Sequence, residues 1–218
     1  MANFATHLNV SAFISGVSAV SVGYALNDTK NAVIYFFAGI AGGILPDIDH
    51  DKSTPLRILQ FFFSNLVAFL VTFRFIGKIP IGNILLIWLM SYVFMSFVFY
   101  ILKKITKHRG MIHSVPSAFI FWFLTSLSAY KFFSCSLQKS YLIGFFVFLG
   151  YITHLVLDEI YSVDITGKKI KKSFGSALKV CSKDKAVNLL VYSVLFLIFI
   201  FLPQKEILFE VIKGIGNV

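Results

Sequence analysis

Long apolar stretches separated by short polar breaks recur along this 218-residue chain, and they constrain its fold more than any other feature. A membrane span needs roughly 20 apolar residues, and the second run is shorter, so we expect it to tilt, extend backwards or cross only half of the bilayer. Because lipid offers no hydrogen bonds to the backbone, the spans are expected to be helices. Seven runs are found, at about 5–26, 31–45, 56–76, 81–102, 114–133, 140–160 and 186–202.

The low content of charge indicates a membrane protein rather than a soluble helical domain. Hydrophobic residues make up 57% of the chain and charged residues only 14%, whereas soluble domains carry about 25% charged residues. We therefore predict an all-α polytopic transmembrane helix bundle of about seven spans, within a range of six to eight, that forms a single integral membrane domain over residues 1–218. The two cysteines, Cys135 and Cys181, offer neither a disulfide framework nor a paired metal motif.

Positive charge is concentrated in the loops between the apolar runs. The formal net charge is +10, and its expected partners are anionic lipid headgroups rather than nucleic acid. A basic loop over residues 161–185 contains Lys168, Lys169, Lys171 and Lys172. This charge run is explained most simply by topology and attraction to anionic lipid, and its functional interpretation is contact with a phosphorylated substrate. The sequence leaves the oligomeric state open.

Four short polar islands interrupt the apolar sequence, and they hold all five histidines. Ionisable groups inside or beside a membrane come at a cost in free energy, so those that are retained usually serve an ion, a substrate or a proton. Imidazoles and carboxylates without cysteine are the ligands that hydrolytic metal sites use. The islands are Thr6-His7, Leu45–Asp51, His108–Ser114 and His154–Glu159.

All four islands are expected at one face of the membrane. With seven alternating spans, the first helix starts at this face, the second and sixth return to it, and the fourth ends and the fifth begins there. The same face holds 13 of the 20 lysines and arginines, so the positive-inside rule makes it cytoplasmic, together with the N-terminus. These residues are Lys52, Arg57, Lys103, Lys104, Lys107, Arg109, Lys168, Lys169, Lys171, Lys172, Lys179, Lys183 and Lys185.

Three of the islands contain residue pairs or single histidines with more than one interpretation. His154 and Asp158 are four residues apart in a helical run, so they share a helical face and could hold a metal ion or form a hydrogen-bonded pair that fastens the bundle. Asp47 and Asp49 could bind metal or orient a histidine, whereas acids that cap the next helix are the plainer interpretation. His7 is a candidate ligand only because it is expected at the same membrane face as the other islands.

The island at 108–114 has the most specific pattern. Gly110 lets the backbone turn, so that His108 and His113 can converge. Arg109 offers a planar fork suited to a phosphate or an oxyanion. Ser114 could cap the fifth helix or contact the site, and the alternative for the whole island is a basic loop at the lipid surface.

The islands form an ordered set of motifs with a family resemblance. They comprise Thr6-His7, Gly43–Asp49, His108-Arg109-Gly110 with His113-Ser114, and Gly150 with His154–Asp158. In this order they resemble the YdjM-type family of LexA-regulated, membrane-bound, predicted metal-dependent hydrolases, over most of the first 160 residues. The resemblance implies a multi-span protein of the bacterial or archaeal inner membrane with metal-dependent hydrolase activity. The chain departs from the family pattern at Ile112, where members often have threonine, and in the lysine-rich stretch after Asp158.

We therefore expect a metal-dependent hydrolase at the cytoplasmic membrane surface that acts on a phosphoester of a lipid or a lipid-linked substrate. One or two divalent ions, zinc or manganese above all, would activate water near neutral pH. The expected metal ligands are His7, Asp47, Asp49, His113, His154 and Asp158.

Further roles are expected around these ligands. His108 would be a proton shuttle or an additional ligand, Arg109 would stabilise negative charge, Asp49 would serve catalysis at the metal, and Glu159 would be a backup base. The expected substrate contacts are Arg109, Ser114, Lys168 and Lys169. The alternatives are a metal-ion or proton transporter and a non-catalytic stress-response membrane protein with a structural metal.

Overall fold

Each apolar run of the sequence is helical in the computed structural model, and every regular element in the described residues is a helix. The structure describes residues 3–49, 54–105, 111–162, 178–182 and 184–216. These include the α-helices α1 (Phe4–Ala25), α2 (Ala32–Ile44), α3 (Thr54–Phe73), α4 (Ile81–Ile105), α5 (Val115–Phe133), α6 (Leu137–Ile160), α7 (Lys185–Phe201) and α8 (Lys205–Gly216). Short 3-10 helices, Thr29–Asn31 and Leu45–Asp49, lie on either side of α2. The all-helical prediction is confirmed for these residues.

Polar side chains fix the starts of several helices. The Asn3 side chain accepts a hydrogen bond from the backbone N–H of Thr6 at 2.8 Å and so caps α1 one turn before His7. Asp184 accepts from the N–H of Ala186 at 2.9 Å and caps α7 in the same way. Such caps satisfy amide groups that have no partner within the helix, so they determine where each helix begins.

The chain divides into two compact units. The first comprises residues 1–46 and 111–218, and in it α6 packs against α1, α2, α5 and α8 while α7 packs against α5. The second, residues 47–110, contains α3 and α4 as a helical hairpin. Its turn includes Gly77 with a positive φ of 76°, a conformation that glycine adopts without a steric penalty. The single domain over 1–218 stays a prediction.

Glycines bring α1, α2 and α6 into close backbone contact. A Cβ atom at Gly150 of α6 would lie 1.8 Å from the carbonyl oxygen of Gly39 in α2. On the other side of α2, Cβ atoms at Gly39 and Gly43 would each lie 2.1 Å from a serine hydroxyl, of Ser15 and Ser11 respectively. Small residues at four-residue spacing permit this approach, as is common for helices that pack in lipid.

Fewer helices than predicted have the length and composition of a membrane span. Among the described residues three qualify, Phe4–Ala25, Ile81–Tyr100 and Leu137–Ile160, and the bent pair α7 and α8 would add a fourth if it forms one span. Helix α2 has 13 residues, which rise about 20 Å against a hydrocarbon core of about 30 Å. Helix α5 is long enough, but its serines and a lysine reduce its hydropathy. Both helices therefore fall short of the span criteria, which brings the count among the described residues below the predicted seven.

The glycine contact gives a direct test of this packing. We expect Gly150→Ala to lower the apparent melting temperature of the detergent-purified protein, with a destabilisation of about 1–3 kcal/mol, because the new methyl group would push α6 away from α2. The matched control is Gly16→Ala, where the added Cβ would lie at an ordinary 3.6 Å from the Phe36 ring. Equal melting temperatures for the two variants would contradict the close approach.

Candidate functional site

Four ionisable side chains from three parts of the chain meet at one end of the first unit. His7 lies in the first turns of α1, His113 directly precedes the N-cap of α5, and His154 and Asp158 are one turn apart near the end of α6. All four side chains are buried. The sequence predicts that these residues share one end of the bundle, and the structure places them in contact.

The carboxylate of Asp158 connects the histidines. One oxygen, Oδ1, lies 3.2 Å from Nε2 of His7, and the other, Oδ2, lies 3.0 Å from Nε2 of His113. Nε2 of His154 is 3.9 Å from Oδ2. A carboxylate this deeply buried is costly unless it is paired, and the two imidazoles at about 3 Å provide that pairing.

A backbone carbonyl orients the ring of His154. The Nδ1 atom lies 2.7 Å from the carbonyl oxygen of Gly43, near the end of α2. A carbonyl oxygen only accepts hydrogen bonds, so Nδ1 carries a proton, and in the neutral ring Nε2 presents a lone pair towards the Asp158 side. Metal-binding histidines commonly donate their second ring nitrogen to a carbonyl in this manner.

The His7 ring stacks on the ring of His154, and its Nδ1 atom is buried. The two rings are nearly parallel, with centroids 3.6 Å apart. Nδ1 of His7 is buried and has no hydrogen-bond partner among the described residues. A buried nitrogen without a partner is rare, and a site for an ion or a water molecule is a common explanation.

Hydrogen bonds from α6 and from the residues that follow His113 hold the loop that carries this histidine. The hydroxyls of Ser114 and Ser117 both donate to the carbonyl oxygen of Met111. The hydroxyl of Tyr151, a buried side chain of α6, donates to the carbonyl oxygen of Ile112. Tyr151 therefore ties the residue before His113 to the same helix that supplies His154 and Asp158.

Three of these residues have the geometry of a metal site. Each of His7, His154 and Asp158 offers a ligand atom, and these atoms lie within 4.8 Å of one another. Two imidazoles and a carboxylate form a donor set that zinc and manganese accept. His113 contacts Oδ2 of Asp158, where it could complete the ligand set or orient the carboxylate. The residues present therefore fit a divalent ion.

Of the other predicted site residues, the structure describes the side chains of Asp47, Ser114 and Glu159. Asp47 is partly buried and opens the second unit, so its role as a ligand stays a prediction, and the side chain of Asp49 is outside the described part of the chain. Glu159 is partly buried and lies roughly 100° around the helix from Asp158. Ser114 is the fully buried N-cap residue of α5, although its hydroxyl binds Met111 rather than the helix. His108, Arg109, Lys168 and Lys169 fall outside the described residues.

Part of the predicted basic loop does lie beside the site. The backbone N–H of Val115, at the start of α5, donates to the carbonyl oxygen of Lys179 at 3.2 Å. On its other side this segment is bound to α7, where the hydroxyl of Tyr192 donates to the carbonyl oxygen of Val180 at 3.0 Å. The segment from 178 to 182 therefore packs between α7 and the residues that follow His113.

Two residues that support the cluster were not predicted as part of it. Gly43 entered the sequence analysis only as the first residue of the Gly43–Asp49 motif, although its carbonyl orients His154. Tyr151 was missed entirely. A signal for it existed, because a tyrosine three residues before His154 and seven before Asp158 lies on the same helical face.

The position of Tyr151 yields a prediction that separates it from a general packing residue. We expect Tyr151→Phe to weaken binding of a divalent ion about 10- to 100-fold, because the His113 loop loses its tie to α6. The measurement is titration of the metal-stripped protein with zinc. The matched control is Tyr141→Phe, since the Tyr141 hydroxyl donates to the carbonyl of Pro203 at the opposite end of α6. Equal loss of affinity in both variants would contradict a positioning role for Tyr151.

Comparison with known proteins agrees with the arrangement of the motifs. A family model described as YdjM inner membrane protein matches residues 1–206. No curated protein and no solved structure matches the chain. The match covers every residue of the His/Asp cluster and all of the helices that hold it. The chain therefore belongs to the YdjM inner membrane protein family.

Proposed function

We propose that this protein is a metal-dependent hydrolase whose site is the cluster of His7, His113, His154 and Asp158. The observation that carries the proposal is the approach of ligand atoms from His7, His154 and Asp158 to within 4.8 Å of one another. A divalent ion held there, zinc or manganese by the chemistry of the donors, would supply Lewis acidity and activate water for attack on an ester. Asp47 and Asp49 are proposed to add ligands for this ion or for a second one.

The charge of the cluster supports a cation. With neutral imidazoles the four side chains carry a single negative charge, on Asp158, inside the protein. A buried charge is favourable only when it is compensated. One divalent ion would change the net charge of the cluster from negative to positive. The imidazoles would bind it through ring nitrogens whose orientation is already set, for His154 by the Gly43 carbonyl and for His7 by stacking on the His154 ring.

The position of the cluster along the helices supports a substrate from the membrane surface. In α1, 18 residues follow His7, a rise of about 27 Å, which nearly spans the hydrocarbon core. The cluster is therefore at one boundary of the bilayer, and the excess of basic residues favours the cytoplasmic one. We propose a phosphoester of a lipid or a lipid-linked compound as substrate, with Arg109, Lys168 and Lys169 contacting the phosphate.

Within this proposal the flanking residues have distinct roles. Arg109 would stabilise the negative charge that develops on the phosphate oxygens during attack. His108 would transfer a proton to or from the reacting oxygens, and Glu159 would serve as a second base. Asp158 and His154 would hold the ion, and Gly43 and Tyr151 would fix the orientation of these ligands.

A second candidate is a structural metal, and the burial of the cluster favours it. The side chains of His7, His154 and Asp158 are only 0–4% exposed. Structural metal sites are closed by protein ligands, whereas catalytic sites keep a position open for water or substrate. In this case the ion would hold α1 and α6 together, and the protein would not turn over a substrate.

Metal binding is tested by replacing the central carboxylate. We expect Asp158→Asn to lower the metal content of the purified protein and to weaken zinc affinity by at least about 100-fold, because the substitution removes a ligand and the only formal negative charge of the four side chains. The matched control is Asp184→Asn, an exposed helix cap that asparagine replaces well. Element analysis of both variants measures the effect, and equal metal content would refute a metal site at Asp158.

Catalysis is tested with protein reconstituted into vesicles that contain a lipid phosphomonoester or a lipid phosphodiester. We expect metal-loaded wild-type protein to release phosphate or a headgroup, Asp158→Asn to fall to the rate of protein-free vesicles, and Arg109→Gln to retain metal but lose turnover. Retained metal with no release from either lipid, together with a lower melting temperature on chelation, would favour the structural candidate.

A further inference from the structure

The last two helices meet at a sharp corner. Helix α7 and the helix that follows it, Lys205–Gly214 in the bent pair, are inclined at 99° to each other across a short break. The 17 residues of α7 rise about 26 Å, which almost crosses a bilayer core. A helix perpendicular to α7 is therefore oriented along the membrane plane if α7 runs near the membrane normal.

The corner lies at the end of the first unit opposite to the His/Asp cluster. Tyr141, at the start of α6, donates its hydroxyl to the carbonyl oxygen of Pro203 in the break. Near the other end of α8, a Cβ at Gly214 would lie 3.7 Å from the side chain of Leu26, which follows α1. The polar turn that begins at Asn27 and contains Asp28 connects α1 to α2 at this same end. Helix α8 therefore lies at the same end of the first unit as the polar turn between α1 and α2.

Helix α8 has three different sides. Leu208 and Val211 are buried against the protein, each only 3% exposed. Phe209 and Ile212 project to one flank and are 57% and 43% exposed. The outermost side carries exposed charged residues, Glu206, Glu210 and Lys213. Successive residues of a helix are rotated by roughly 100° about its axis, so the flank with Phe209 and Ile212 lies between the protein-facing side and the charged side.

We propose that α8 is an interfacial helix that binds the lipid surface on the membrane face opposite to the His/Asp cluster. Phe209 and Ile212 enter the boundary of headgroups and acyl chains, while the charged side faces water. Helix α7 also carries exposed apolar side chains towards the corner, where Leu197 and Phe201 are 57% and 64% exposed. At the corner, Lys205 lies with its Nζ 5.0 Å from the centre of the Phe199 ring, and from there its long side chain can extend to the headgroups.

Lipid fits this flank better than a second copy of the chain. A stable protein interface buries about 800 Å² on each partner. Two side chains on a narrow flank fall well below that area, even if each were buried completely. An apolar strip bordered by charge along one helix is the pattern of a helix that lies in the membrane interface. This inference does not depend on the proposed hydrolase activity.

The test uses spin labels on the full-length protein in vesicles of phosphatidylethanolamine and phosphatidylglycerol. Single cysteines replace Phe209, Ile212, Glu206 and Glu210 in a background in which Cys135 and Cys181 are changed to serine. We expect the ratio of collisions with oxygen to collisions with a water-soluble nickel complex to be at least about threefold higher at 209 and 212 than at 206 and 210. All four positions are exposed, so the labels leave the core intact.

Sided labelling with a water-soluble maleimide checks the membrane face. We expect Glu210→Cys and Lys30→Cys to react from the same side, and Asn3→Cys to react from the other side. Equal collision ratios at all four positions would overturn the proposal because α8 would then be surrounded by water. The proposal would also be overturned if protection of the labels from collisions with the nickel complex depended on protein concentration and cross-linked dimers formed. That outcome would favour contact with a second copy.

Discussion

The buried carboxylate of Asp158 is the constraint on which the first unit depends. It lies between imidazoles from α1, from the loop before α5 and from its own helix, at distances of 3.0 to 3.9 Å. Removing any one partner would leave a charge or a polar nitrogen without compensation in a region that water does not reach. The cluster therefore specifies how α1 and α6 are paired, in addition to any chemistry that it performs.

Close packing makes this polar arrangement possible. The glycines of α2 and α6 let two backbones approach until only a carbonyl fits between them, as the contact of Gly150 with Gly39 shows. A side chain at either position would separate the helices and withdraw the Gly43 carbonyl from His154. Packing in the middle of the bundle and ligand orientation at its end are therefore properties of the same pair of helices.

The sequence predicts the helices, and the shared face of His154 and Asp158, better than it predicts the number of spans. His154 and Asp158 are one helical turn apart, so local periodicity was sufficient to place them on a common face. Their meeting with His7 and His113 required only that the apolar helices alternate in direction. Counting apolar runs predicted more spans than qualify among the described residues, because α2 is shorter than a span and α5 carries serines and a lysine. Tyr151 shares the helical face of His154 and Asp158, but its role could not be predicted without the loop that its hydroxyl binds.

The orientation of His154 by a main-chain oxygen has an evolutionary consequence. A side-chain acceptor can be lost through a single base change, but every amino acid supplies the same carbonyl, so no replacement at position 43 abolishes the acceptor itself. The imidazole can lose its alignment only if α2 shifts or turns. Selection on the orientation of His154 is consequently exerted through residue size at positions 39, 43 and 150 rather than through the polarity of a neighbouring side chain.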